Sequence, residues 1–168
     1  MKHLMNKLLM IFAALLSTAI FFSCSSEKQL NSSFTQEEIA LAVNNDRWDF
    51  TAQHVMPSYG RSRVITGSYF VNCRKDSLMV ALPYYGKVNS PAGASNTNPL
   101  DFQSTNIKIE KQEKKPGEWL VTVKPDNPEV RAMVFSFFDN GSAQLNITMT
   151  NRSGISYTGK IAPVKGSD

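Results

Sequence analysis

Gln144-Leu145-Asn146-Ile147-Thr148-Met149 alternates polar and apolar side chains without a break. In an extended chain successive side chains point to opposite faces. Leu145, Ile147 and Met149 therefore share one face, and Gln144, Asn146 and Thr148 the other. A strand with one apolar and one polar face belongs to an antiparallel sheet over a single core. The same period recurs on either side. Trp119, Val121 and Val123 alternate with Thr122 and Lys124. Ile155, Tyr157 and Ile161 alternate with Ser156, Thr158 and Lys160, and Ile107 and Ile109 with Asn106, Lys108 and Glu110. Cys73 falls in phase with Tyr69 and Val71, which predicts a buried core thiol. Turn residues separate these runs. Asn140-Gly141 predicts a type I′ hairpin, Pro116-Gly117 a type II turn, and Lys75-Asp76-Ser77 and Asn151 to Gly154 two further turns. The pattern predicts about eight strands, at 49–58, 62–74, 78–85, 100–113, 118–125, 129–138, 142–151 and 155–163. Short connections predict a meander, as a small barrel or a two-layer sandwich.

One N-terminal helix precedes the strands. Thr35 is placed to be its N-cap, Glu38 to close a capping box, and Phe34 and Ile39 to form a hydrophobic staple. Ile39, Ala42 and Val43 give it a narrow apolar stripe, and it should end near Asn45 to Trp48.

The first 24 residues have a different character. Lys2 and Lys7 precede an apolar run from Leu8 to Phe22, broken only by Ser17 and Thr18. That run suits a signal peptide and is shorter than the roughly 20 residues a membrane-spanning helix needs. It ends at Ser23-Cys24, a small residue before a cysteine, which is the requirement for lipoprotein processing. Phe21 stands where leucine is usual; a plain secretory signal or an uncleaved anchor are the alternatives. Residues 1–23 are thus expected to be a lipoprotein signal peptide, 24–33 a polar tether, and 34–168 a single all-β domain. Acyl chains of the palmitate type on Cys24 would hold the protein to a membrane of the cell envelope, the outer membrane being the expectation, facing periplasm or cell surface. Two chains already give stable attachment.

Loss of residues 1–23 removes two lysines and no acid, lowering the formal net charge from +4 to +2. The densest basic stretch, Lys108 to Lys115, is interleaved with Glu110 and Glu113. No concentrated basic face suggests a nucleic-acid partner. Only Cys73 remains after lipidation of Cys24, so no internal disulfide is expected. His54 has no partner that spacing can place. Asp101, Glu110, Glu118, Asp126 and Asp139 are scattered over strand ends and turns. No phosphate loop, metal spacing or nucleophile elbow is present, and neither a cofactor nor catalysis is expected.

Gly86 to Pro99 is the longest loop, rich in Gly, Ser, Asn and Pro. It follows Ala81-Leu82-Pro83-Tyr84-Tyr85-Gly86. Pro83 should mark a strand end. Tyr84 and Tyr85 should face opposite ways, one into the core with its hydroxyl at the rim, the other on the surface. If the protein binds a ligand, Tyr84, Tyr85, Asn96 and Asn98 are the candidate contacts, with an aromatic and amide character suited to a glycan or peptide. A structural strand end beside a simple connection is the competing reading.

With the lipoprotein signal, the capped helix and the Lys-rich hairpin before Trp119, the Leu-Pro-Tyr-aromatic-Gly segment resembles a family of uncharacterised Bacteroidetes lipoproteins, classed as a domain of unknown function. The resemblance covers roughly residues 35–163. It implies an all-β envelope lipoprotein and carries over no catalytic residue. Asp76-Ser77-Leu78 also looks like the short Asp-Ser/Thr-apolar acceptor of O-glycosylation in Bacteroidetes envelope proteins, with plain turn chemistry as the alternative.

Three function classes follow. A binder of a small molecule, glycan or peptide predicts a cavity bordered by Tyr84 or Tyr85. A structural or interaction subunit predicts a filled core and an exposed apolar patch. A hydrolytic enzyme, the least supported, predicts polar groups converging in a cleft.

Overall fold

A computed structural model of the chain describes residues 34–89 and 97–164. The expected signal peptide, Cys24, the tether and Asn96 lie outside the described residues. Helix α1 spans Gln36–Asn44, and its start is built as the sequence predicts. The Glu38 N–H donates to Thr35 Oγ1 at 3.2 Å, and the Thr35 N–H donates to Glu38 Oε2 at 2.7 Å. The Thr35 N–H bond, joined by the Thr35 hydroxyl donating to the same Glu38 oxygen at 3.0 Å, holds the Glu38 carboxyl below its ordinary pKa. Ile39, Ala42 and Val43 are buried, and the helix packs on the strands that begin and end the sheet's chain path.

Ten strands follow: β1 (Arg47–Pro57), β2 (Arg63–Val64), β3 (Phe70–Arg74), β4 (Ser77–Ala81), β5 (Asp101–Ser104), β6 (Ile107–Lys115), β7 (Glu118–Pro125), β8 (Val130–Phe138), β9 (Ser142–Met149) and β10 (Ile155–Pro163). They form one antiparallel sheet in the order β5-β4-β3-β1-β10-β9-β8-β7-β6, with β2 beside β1. The sheet curls into a half-barrel rather than stacking as two layers. Connectivity explains the curl. β5 and β6 are its two edges, yet only Thr105 and Asn106 separate them in the chain. Three peptide steps reach about 11 Å at most. The edges must therefore approach at that point. A small knot of bonds holds them, with Ser104 Oγ donating to the Asn106 carbonyl at 3.2 Å and accepting from the Asp126 N–H at 3.1 Å.

Two of the eight expected strands are each two. The run 62–74 divides into β2 and β3, because β1 has a bulge at Gln53 and exchanges one edge partner for another there. The run 100–113 divides into β5 and β6, which never pair. The phase slips where they part: Phe102 and Ser104 face inward, then Ile107 and Ile109. The strand expected at 78–85 stops at Ala81, two residues short of Pro83, which has no N–H for a ladder. The Asn140-Gly141 hairpin is present but is not type I′. Gly141 has φ 77 while Asn140 is not at positive φ, and the Gly141 N–H closes back on the Phe138 carbonyl at 2.9 Å. This is a three-residue loop ending in a left-handed glycine.

The interior is filled by aromatic side chains. Trp48 meets Phe135 and Phe137 edge-on, with ring centroids 4.8 and 4.9 Å apart, and Phe50 meets Phe135 at 5.8 Å. The helix is fastened at both ends. Gln36 Nε2 donates to Asp139 Oδ2 at 2.5 Å in the β8–β9 loop. Lys111 of β6 reaches the helix C-terminus, donating to the Asn44 carbonyl at 2.7 Å and to Asp46 Oδ2 at 2.9 Å. A cation there complements the unpaired carbonyls and the dipole.

Candidate functional site

The segment 82–89 leaves β4 and runs as a strap to the β9–β10 turn. Its foot is tied by Asn98, whose amide donates to the Leu82 carbonyl at 2.7 Å and accepts from the Leu100 N–H at 3.2 Å. Both polar ends of Asn98 are thus engaged within the loop base. The buried Tyr157 hydroxyl donates to the Pro83 carbonyl at 2.8 Å, and burial holds that phenol above its ordinary pKa. Further along, the strap pairs with residues 151–153. The Ser153 N–H donates to the Lys87 carbonyl and the Asn89 N–H to the Asn151 carbonyl, both at 2.9 Å.

Tyr84 fastens this pairing from within. It packs against the core, and its hydroxyl donates to the Ser153 carbonyl at 2.7 Å. Arg152 lies over the ring at 5.6 Å and is itself ion-paired to Glu129 at 2.7 Å, buried within the pair. A Cβ on Gly86 would collide with the Tyr84 hydroxyl, so the tyrosine can fold back here only because residue 86 has no side chain. Tyr84 is a structural clasp in this geometry, and Tyr85 is the outward member of the pair.

Tyr85 is 40% exposed, with the Arg63 guanidinium 5.0 Å from its ring centroid. Two residues on, Lys87 Nζ sits 5.1 Å from the centroid of Tyr59, which is 61% exposed. One cation reaches from β2 to the strap and the other from the strap to the β1–β2 loop. Ser58 Oγ adds a bond to the Gly154 carbonyl at 2.6 Å. Three segments distant in the chain therefore meet in one ordered rim. Val64, 69% exposed, follows Arg63 in the chain, and Val88, also exposed, follows Lys87. No Asp or Glu occurs from 50 to 75 or from 77 to 100, while Arg61, Arg63 and Lys87 are exposed.

The other candidates fall elsewhere. Ser77 opens β4 directly after the Lys75-Asp76 turn. It is half-buried, and its hydroxyl donates to the Arg74 carbonyl at 3.3 Å. Cys73 is buried, as its phase predicts, and burial first, then the charge of Asp46, pushes its thiol up to about 12. The folded state therefore keeps the proton from the unfolded pKa near about 8.5 upward. This contribution is fully present below that value and is lost as pH rises towards 12. Between pH 9 and 10 the unfolding free energy should fall more steeply in the wild type than in Cys73→Ala, by at most about 1.4 kcal/mol per pH unit. Equal slopes in urea titrations at the two pH values would contradict this placement.

Open clefts lie at the ends and flanks of α1. One, of about 360 Å³, is lined by Asn44, Asp46, Lys75, Asp76 and Ile109 among others. Two grooves of about 260 and 270 Å³ border the helix, one through Leu41 and one through Ala40 facing Trp119 of β7. Neither Tyr84 nor Tyr85 lines these three. Among the described residues no group of three or more His, Cys, Asp or Glu could hold a metal ion, and no helix is long and apolar enough to cross a membrane.

The model of a domain of unknown function, DUF4251, matches residues 31–161. The chain belongs to this family. The DUF4251 fold is also seen in the crystal structure of a DUF4251 family protein from Bacteroides eggerthii DSM 20697. That structure superposes with a TM-score of 0.57 at 14% sequence identity, covering 76% of this chain and 87% of that one. At such identity the likeness speaks for the fold alone. No curated protein matches the chain. The strap and rim of this DUF4251 domain are therefore interpreted from their own geometry. No motif in the sequence marks Tyr59, Arg63 or Arg152. The long acid-free runs around them were the available signal.

Proposed function

We propose that this DUF4251 chain is a non-catalytic binding or accessory module of the cell envelope, anchored by lipid on Cys24, that docks a macromolecular partner on the rim around Tyr59 and Tyr85. Two observations support this: two exposed tyrosines, each paired with a cation, share the rim, and the core is already filled by Trp48, Phe50, Phe135 and Phe137. A filled interior favours recognition on a surface over a ligand held in a barrel mouth. Exposed aromatic and arginine side chains are the types that dominate binding energy at interfaces.

The anchor is tested by Cys24→Ala, which should move the protein from the membrane to the soluble fraction. Unchanged fractionation would remove the anchor from the proposal. The rim is tested with Tyr59→Ala/Tyr85→Ala. Each ring carries one cation at an exposed site, so stability should fall by about 1 kcal/mol or less per site. Immobilised wild-type protein should retain material from detergent-solubilised envelopes of its native host, and the folded double variant should lose it, with each truncation costing about 2 kcal/mol of binding. Retention of the same material by the folded variant would place the site elsewhere. Intact mass from the same host, compared with Ser77→Ala, tests the sugar: a difference of one oxygen alone excludes glycosylation at Ser77.

A further inference from the structure

We infer that the rim's partner is an acidic polypeptide segment that also carries apolar or aromatic side chains. This deepens the docking reading and rests on it. The chemistry of the surface has two parts. The first is charge. Arg61, Arg63 and Lys87 are exposed on chain segments that contain no Asp or Glu over 50–75 and 77–100. Glu129 is neutralised by Arg152, the cation over the strap's Tyr84 ring. Exposed cations on segments that carry no acid of their own attract an anion and repel a basic partner.

The second part is apolar. Val64 and Val88 are exposed on the same two segments that carry Arg63 and Lys87. A branched aliphatic side chain offers nothing to a polyhydroxylated sugar but buries well against a leucine, valine or aromatic side chain. One face of each exposed tyrosine ring already carries an intramolecular cation, which weakens the case for a sugar stacked on a broad bare ring. An extended chain suits these segments, its carboxylates meeting Arg61, Arg63 and Lys87 while its apolar side chains meet the exposed valines and tyrosines. An anionic polysaccharide satisfies only the charge.

The test measures binding of the mature chain to three defined polymers of matched length: a glutamate–tyrosine copolypeptide, polyglutamate and polygalacturonate. The copolypeptide should bind about tenfold more tightly than either of the others. Its binding should weaken as salt is raised, since exposed charges are screened beyond about 10 Å at 0.1 M. Arg63→Glu/Lys87→Glu should lower it about 100-fold while leaving the circular dichroism unchanged. Failure of the copolypeptide to bind, or equally tight binding of polyglutamate or polygalacturonate, overturns the polypeptide assignment. The retention experiment with Tyr59→Ala/Tyr85→Ala decides the docking surface separately, because it names no partner class.

Discussion

Gly159→Ala should destabilise the fold by about 3 kcal/mol, seen as a large drop in the urea midpoint. Gly159 faces Ala52 where β1 and β10 pair, beside the bulge at Gln53. A Cβ there would collide with the Thr51 carbonyl oxygen and lie 3.0 Å from the Ala52 Cα. Both are backbone atoms of a strand flanked on each side, so no side-chain rotation relieves the contact. Either the two central strands separate or the ladder breaks. Lys160→Ala, next along the same strand and exposed, should change stability by about 0.5 kcal/mol or less. A wild-type midpoint for Gly159→Ala would mean that the strands do not approach as described.

Trp48→Ala should cost about 4 kcal/mol. The indole is fully buried and touches Phe135 and Phe137 edge-on, so its loss opens a cavity where β1 faces β8. Trp48→Phe should be much milder. It keeps an aromatic ring in place and removes the indole Nε1, a buried donor with no acceptor in the structure. Denaturation followed by far-ultraviolet circular dichroism ranks the three proteins. A cost for Trp48→Ala below about 1 kcal/mol would contradict the packing.

What the sequence made legible was local. Thr35 and Glu38 lie three residues apart, and their reciprocal bonds depend on little else. Leu145, Ile147 and Met149 announce a one-faced strand without reference to any partner. The identity of each strand's neighbour is not a local property. Nothing in Trp48 or Ile161 alone indicates that first and last strands lie side by side, and the break at Thr105-Asn106 leaves only a one-residue phase slip. The site was legible in the same proportion. Tyr84 and Tyr85 stood out as a pair, with one expected inside and one outside. Their assembly with Tyr59, Arg63 and Arg152 depends on the strap reaching a turn nearly seventy residues further on, as the Tyr84–Ser153 bond records.

The pairing of β1 with β10 has a consequence for how the molecule comes into being. The central strand of the nine in sequence of pairing is the last one made. A chain delivered from its N-terminus can form the β3–β4 and β6–β7–β8–β9 hairpins early, since each closes a short loop. It cannot complete the ladder between those two halves until residues 155–163 are available. The join closes a loop of nearly the whole domain, the slow kind of contact formation. Until then β1 and β9 each present an open, half-apolar edge, the state most prone to mispairing. A chain cut short before Ile155 would lose the piece that unites the halves, and should behave as two unfinished hairpin arrays rather than as a slightly smaller domain.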